Sequence, residues 1–206
     1  MDRAWLRYAQ KLEYQDPASL LRRLRKVELE IAKSSVSEKV RKLRTNGLKG
    51  FRELREAAIF CHGMSQRIGQ TVYVGRGESQ DYDFVASWVV DDKQHLAPVQ
   101  LKEVVPTDLN PKSAVQATVD ALKKYVDSEQ LTVAIHLNRQ SSFDPGQLVI
   151  PTLNVAALWV FAALAPDQSR GSNERFRKSC GSLRSTPELA TGRRWRLKPD
   201  RIGTRC

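Results

Sequence analysis

Asp81 and Asp83 stand two residues apart at the head of an apolar, β-branched run. Gln100 and Lys102 also stand two apart, and 17 positions separate Asp83 from Gln100. Residues two apart on a strand share a face, so each pair presents its functional groups together. Two antiparallel arms and a turn at Asp91-Asp92-Lys93 fit that gap and bring Asp83 beside Gln100. The patch then holds a carboxylate, an amide and an ammonium. Carboxylate and amide oxygens suit a hard divalent cation. An ammonium beside them can stabilise negative charge that develops in a reaction. The same residues also read more plainly, as strand-start aspartates and an edge-strand lysine.

Other chemistries find little support. Cys61, Cys180 and Cys206 are far apart, odd in number and without a CxxC pair, which argues against a structural zinc site or a disulfide framework. His62, His95 and His136 lie at no metal-ligand spacing. No Gly-x-Ser-x-Gly elbow and no phosphate-binding Gly-Lys-Ser/Thr loop occurs, and Gly75-Arg76-Gly77 reads as a strand-end turn. The N-terminus has no apolar signal core. The apolar run Val155 to Ala165 is too short to span a bilayer. A cytoplasmic protein without a membrane partner is expected.

The elements that must position the patch follow from periodicity. Trp5, Tyr8 and Leu12 suggest a short leading helix. Leu20, Leu24, Val27 and Ile31 mark a helix or helix pair over 18–44, with Ser34-Ser35 as an interruption. A second helix is expected over 50–62, closed by His62-Gly63. The period then changes. Thr71–Val74, Tyr82–Val90 and Leu96–Val105 read as three strands of a meander. A helix starting at Asn110-Pro111 and ending near Asp127 follows, then a β-branched strand over Leu131–Leu137. Leu148-Val149-Ile150 is a candidate short strand, and Asn154 a candidate cap for a buried helix reaching Leu164.

Asp83, the Gln100-Leu101-Lys102 strand end and the order helix, three strands, helix, strand resemble the PD-(D/E)xK, or restriction-endonuclease-like, nuclease superfamily over about residues 50–137. The resemblance implies an α/β fold with an αβββαβ core: a mixed sheet flanked by helices, here preceded by basic helices. It implies that Asp83 and Gln100 bind Mg2+ or Mn2+, with the Leu101 carbonyl as a third ligand. Lys102 would serve the attacking water and the charge at phosphorus. A glutamate from the first core helix often completes such sites. Glu53 borders the apolar helix face and is preferred, while Glu56 lies further round. Gln116 matches a glutamine that some members carry, and Glu78 is a spare carboxylate beyond a turn. The departure is Gln100, which stands where an acidic residue is usual; it lowers the expected metal affinity. Glu103 should point to the other face. The implied activity is metal-dependent hydrolysis of nucleic-acid phosphodiesters. The alternative is an inactive nuclease-like fold kept as a nucleic-acid-binding or protein-interaction module.

Charge sharpens the choice of partner. The 206-residue chain carries a net +11. Residues 1–50 hold 13 basic against 6 acidic side chains, 51–166 hold 10 against 13, and 167–206 hold 11 against 4. The basic helical segment therefore points to a polyanion, DNA ahead of RNA. Arg22, Arg23, Arg25, Lys26, Arg41, Lys42 and Arg44 are the candidate phosphate contacts. The apolar stripe of that helix could instead pair with a second copy, giving a homodimer. Three regions are expected: a basic helical segment at 1–45, the nuclease-like domain at 46–166, and an Arg/Ser-rich tail at 167–206, disordered or loosely attached.

Overall fold

The computed structural model describes residues 3–41, 43–77, 81–139, 144–163, 180–185 and 195–198. The chain opens with α1 (Arg3–Gln10) and β1 (Tyr14–Gln15). The next helix, α2 (Pro17–Lys33), has proline in its first turn, and the Asp16 carboxylate accepts a 2.7 Å bond from the Ser19 N–H. After α3 (Glu38–Arg41) comes the long helix α4 (Lys49–Ile68). The expected stop at His62-Gly63 is passed, and α4 ends at Gly69, whose φ of 71° is the left-handed conformation of a helix C-terminus. His62 and Gly63 are buried inside the helix, where packing outweighs glycine's low helix propensity.

The sheet follows. It runs β2 (Tyr73–Gly75), β3 (Phe84–Val90), β4 (Lys93–Val104), β5 (Ser128–Leu137), β6 (Val155–Phe161), β7 (Cys180–Ser185) and β8 (Trp195–Lys198). With β1 at one edge, all eight strands are hydrogen-bonded in chain order. The pairs from β1 to β4 are antiparallel, β4–β5 and β5–β6 are parallel, and the last two pairs are antiparallel. The sheet is therefore mixed. The β3–β4 hairpin closes through Asp91 and Asp92, both at positive φ (48° and 57°), the backbone of a two-residue turn matched to strand twist. Pro98 sits inside β4 at low cost. Odd-numbered residues of β4 turn their N–H toward β3, so Pro98 faces the β5 side, where pairing starts only at Val99.

Between β4 and β5 the helix is shorter than expected, α5 (Val115–Asp120) continued by a 3-10 turn, Ala121–Lys124. Leu148-Val149-Ile150 is not a strand. The stretch expected as a buried helix from Asn154 is the strand β6 instead. A run that is apolar all round fits a buried parallel strand or a buried helix equally well by periodicity. Of the 167–206 region, 180–185 and 195–198 are the strands named above; the rest lies outside the described residues.

Helices cover both faces. On one, α2 and α4 pack on Phe84, Ala86, Val99, Leu101, Ala134, Trp159 and Phe161. Phe60 sits among three rings there, edge-on to Phe84, Trp159 and Phe161 at 5.4–6.3 Å. On the other face, Val119 and Leu122 from the α5 region and Ala9 from α1 share a core with Val85, Val104, Val133, Ile135, Leu158 and Val160. The N-terminal helices thus contribute to the same cores as the sheet. Among the described residues no helix is long and apolar enough to cross a membrane.

Candidate active site

The site grows from a mismatch in strand length. β4 has 12 residues and β3 has 7. The last register pair is Phe84 with Val99, and the Asp83 N–H still donates to the Val99 carbonyl. Beyond that point the strands part. The N–H of Leu101 faces the vacated side and would be left without a ladder acceptor. The Asp83 carboxylate supplies one: Oδ2 accepts from the Leu101 N–H at 2.6 Å. The same oxygen accepts from the Gln100 side-chain amide. Both bonds fall on Oδ2, and Oδ1 takes neither. Along a strand, the carbonyl of a residue points to the same side as its N–H, so the Leu101 carbonyl also faces this fork. Gln100 reaches it as well, at 3.4 Å.

A cleft of about 270 Å³ opens at the fork, lined by Asp83, Phe84, Leu101, Glu53, Arg76 and neighbouring small and apolar residues. Glu53 reaches it from the first turns of α4 and pairs with Lys49 at 3.3 Å. Of the expected residues, Asp83 and Glu53 line the cleft with Leu101, and Gln100 joins them only through its amide bond to Asp83, without lining the cleft itself. Lys102 is not gathered with them. Its ammonium lies 5.8 Å from the centre of the Tyr125 ring, and it does not line the cleft. Gln116 is also elsewhere. Its amide exchanges two bonds with the Val149 backbone, at 2.8 and 3.0 Å, and so pins the loop before β6. Asp81 lies just ahead of β3 and is exposed, and Glu78 lies outside the described residues.

Arg76, in the strand-end turn between Gly75 and Gly77, also lines the cleft. The turn that carries it is held close to the N-terminal segment. A Cβ on Gly77 would come within 2.7 Å of Leu12, and one on Gly75 would run into the Tyr14 ring. The GxG pattern therefore reflects a close approach, and it fixes the residue between the glycines at the mouth of the cleft.

The basic segment divides. Arg22, Arg23 and Lys26 line an open depression with Gln15, Asp16 and Ser19. Arg25 is paired with Glu28 at 3.1 Å, and Glu28 also takes Arg55 at 2.6 Å. Arg44 is not free for phosphate: it grips Glu103 with both terminal nitrogens, at 2.8 and 2.5 Å. Lys42 and the side chain of Arg41 lie outside the described residues.

Glu103 faces α4, opposite to Gln100 and Lys102, as expected, but it meets an unforeseen cluster. It accepts from Arg44 and from Asn138 (2.6 Å), and Arg52 stands 3.9 Å away. Burial pushes its carboxyl up, yet the Arg44 and Asn138 hydrogen bonds and the two guanidinium charges outweigh that and hold it below the usual carboxylate range. The Arg44 guanidinium is raised in turn, chiefly by its bond to Glu103. Next to Glu103 on β5 is His136, whose Nδ1 lies 3.5 Å from Glu56 Oε1.

Comparison with known protein-family models gives no match. Neither the curated proteins nor the solved structures give a match.

Proposed function

We propose that this protein is a metal-dependent nuclease of the PD-(D/E)xK kind, acting at the fork between β3 and β4. The observation that carries the reading is the Asp83 carboxylate, bonded to Gln100 and to the Leu101 N–H at the point where the strands separate. The order α4, three antiparallel strands, α5 and a parallel strand supports it. The donors at the fork are all oxygens: Asp83 Oδ1, the Gln100 amide, the Leu101 carbonyl and Glu53. Such a set fits Mg2+ or Mn2+. A cation held there supplies Lewis-acid polarisation of a phosphoryl oxygen and a more acidic water.

The remaining work falls to the chain itself. Asp83 holds the Gln100 amide nitrogen, and a flip of that amide, which gives up this bond, would bring its oxygen into the donor set. Arg76, at the cleft mouth, neutralises a phosphate entering there. Lys102 shares a strand face with Gln100 and reaches the scissile group only by leaving the Tyr125 ring. Arg22, Arg23 and Lys26 add sequence-independent, salt-sensitive affinity for DNA.

Cleavage of single- and double-stranded DNA, and of RNA, by the full chain with MgCl2 tests this. Asp83→Asn keeps the size of the side chain and removes its charge. A loss of at least ~100-fold in rate is expected, in line with removal of a transition-state group. Equal cleavage by both proteins refutes the reading.

One observation favours a second reading. With Lys102 laid on Tyr125 and an amide in place of an acid at position 100, the fold serves as a non-catalytic nucleic-acid-binding module. DNA binding in chelator, unchanged by Asp83→Asn and with no cleavage in Mg2+, is the result that selects it.

A further inference from the structure

A second cluster lies on the α4 face of the sheet. Glu56 comes from α4, Glu103 from β4 and His136 from β5. Glu103 and His136 are register partners on adjacent parallel strands, so their side chains rise side by side toward the helix. The side chains of Glu56 and His136 are 5% and 3% exposed. Glu56 Oε1 and His136 Nδ1 face each other at 3.5 Å, and neither atom has a hydrogen-bond partner. Two buried polar atoms left in this way are unusual.

Their spacing is informative. A hydrogen bond between such groups closes to about 2.7–3.2 Å. A metal with bonds of about 2.0–2.1 Å to oxygen and nitrogen sets neighbouring tetrahedral ligands about 3.3 Å apart. The observed 3.5 Å is nearer the second value. One donor atom from each of Glu56, Glu103 and His136 lies within 4.8 Å of the others. Glu103 has capacity to spare. Oε1 takes Arg44 and Asn138, while Oε2 takes one Arg44 bond, and each carboxylate oxygen offers two lone pairs.

We propose that Glu56, Glu103 and His136 form a buried zinc site, separate from the cation site at the fork. One imidazole nitrogen with two carboxylates suits Zn2+ better than Mg2+. The surroundings hold the ligands in the way outer partners do in metal sites. Arg44 and Asn138 fix Glu103, and the His136 ring is stacked on Phe161 at 4.9 Å and 17°. A spare lone pair on the held Glu103 carboxylate completes the set of three. A water or a second carboxylate oxygen takes the fourth position. The guanidiniums of Arg44 and Arg52 oppose a dication, and that opposition gives the site a recognisable signature.

The test uses full-length Asp83→Asn, in which the fork has lost its principal charge, so that this proposal and the nuclease reading fail separately. The protein is stripped with chelator and titrated with ZnCl2 against a chromophoric competitor. One zinc per chain is expected. Adding Glu56→Gln or His136→Asn should weaken binding at least ~10-fold, the loss of one of three ligands. Arg52→Met removes a repelling charge and its 3.9 Å contact with Glu103 but no ligand atom, and should tighten binding by about 10-fold. Circular dichroism checks each fold. If either ligand variant does not fold, the Arg52→Met result decides: tighter binding supports the site, and unchanged or weaker binding overturns it. No zinc bound by Asp83→Asn, or binding indifferent to Glu56→Gln and His136→Asn in folded protein, also overturns it and leaves a plain Glu56–His136 pair.

Discussion

Replacing Arg44 by methionine gives a direct measure of the Glu103 cluster. The guanidinium meets both carboxylate oxygens, at 2.8 and 2.5 Å, and the two side chains are 16% and 13% exposed. Exposed ion pairs are worth about 0–1 kcal/mol, and removing one partner of a fully buried pair costs about 3–5 kcal/mol. The pair is nearer the buried limit, but Glu103 keeps its Asn138 bond and has Arg52 at 3.9 Å. A loss of about 2 kcal/mol is therefore expected. For a chain of this length, each kcal/mol moves Tm by about 2–4 °C. Thermal unfolding at pH 7 in chelator should thus show Tm lowered by about 4–8 °C. A double-mutant cycle with Glu103→Gln should show strong coupling, since both variants break one interaction. The pH dependence has a definite sign. The folded Glu103 carboxyl lies below its ordinary value of 4.5, so its contribution is complete above that value and is lost as pH falls through the lowered one. The gap between the wild type and Arg44→Met should therefore shrink in acid. A Tm change under ~1 °C at pH 7, or additive single effects, refutes a desolvated bidentate pair.

Further outcomes can be checked with single substitutions. Gln100→Glu should place two carboxylates at the fork, lower Tm without metal and recover it with MgCl2; an Mg2+-independent Tm counts against a cation there. Asp92→Gly relieves a positive φ of 57° in the β3–β4 turn and should raise stability by about 0.4–1 kcal/mol in denaturant unfolding. Burial and the nearby Arg22 charge lower the His62 pKa, against an opposing pull from Asp16. Its stabilising effect is then complete above about 6.5 and fades as pH falls through the lowered value, so His62→Gln should flatten the Tm profile between pH 7 and 5.

Local signals carried the hairpin and the fork. Asp91-Asp92-Lys93 is a turn signal between two β-branched runs, and it sets the register that meets Asp83 with Gln100. Where tertiary burial decides, local reading fails. Val155–Phe161 is apolar nearly throughout because β6 feeds the cores on both faces of the sheet, and that removes the alternation that would have marked a strand. His62-Gly63 looks like a stop, yet the buried face of α4 carries the helix through it. The facing of Glu103 was legible from its place next to Lys102. Its company was not, because Arg44 lies 59 residues away, and Glu56 and His136 sit on other elements. The position of Lys102 likewise depends on Tyr125, a contact between β4 and the segment after α5.

A sheet whose spatial order repeats its chain order can be assembled by simple addition. Each strand leaving the ribosome finds its neighbour already in place, so no gap has to be held open for a later insertion. Loop closures stay short, which favours rapid folding. The helices obey the same rule: α2 and α4 are synthesised before the strands they cover. Nascent chains arrested after β5 should accordingly show the strands β1 to β5 resisting protease before β6 has been made, a vectorial route from the N-terminus.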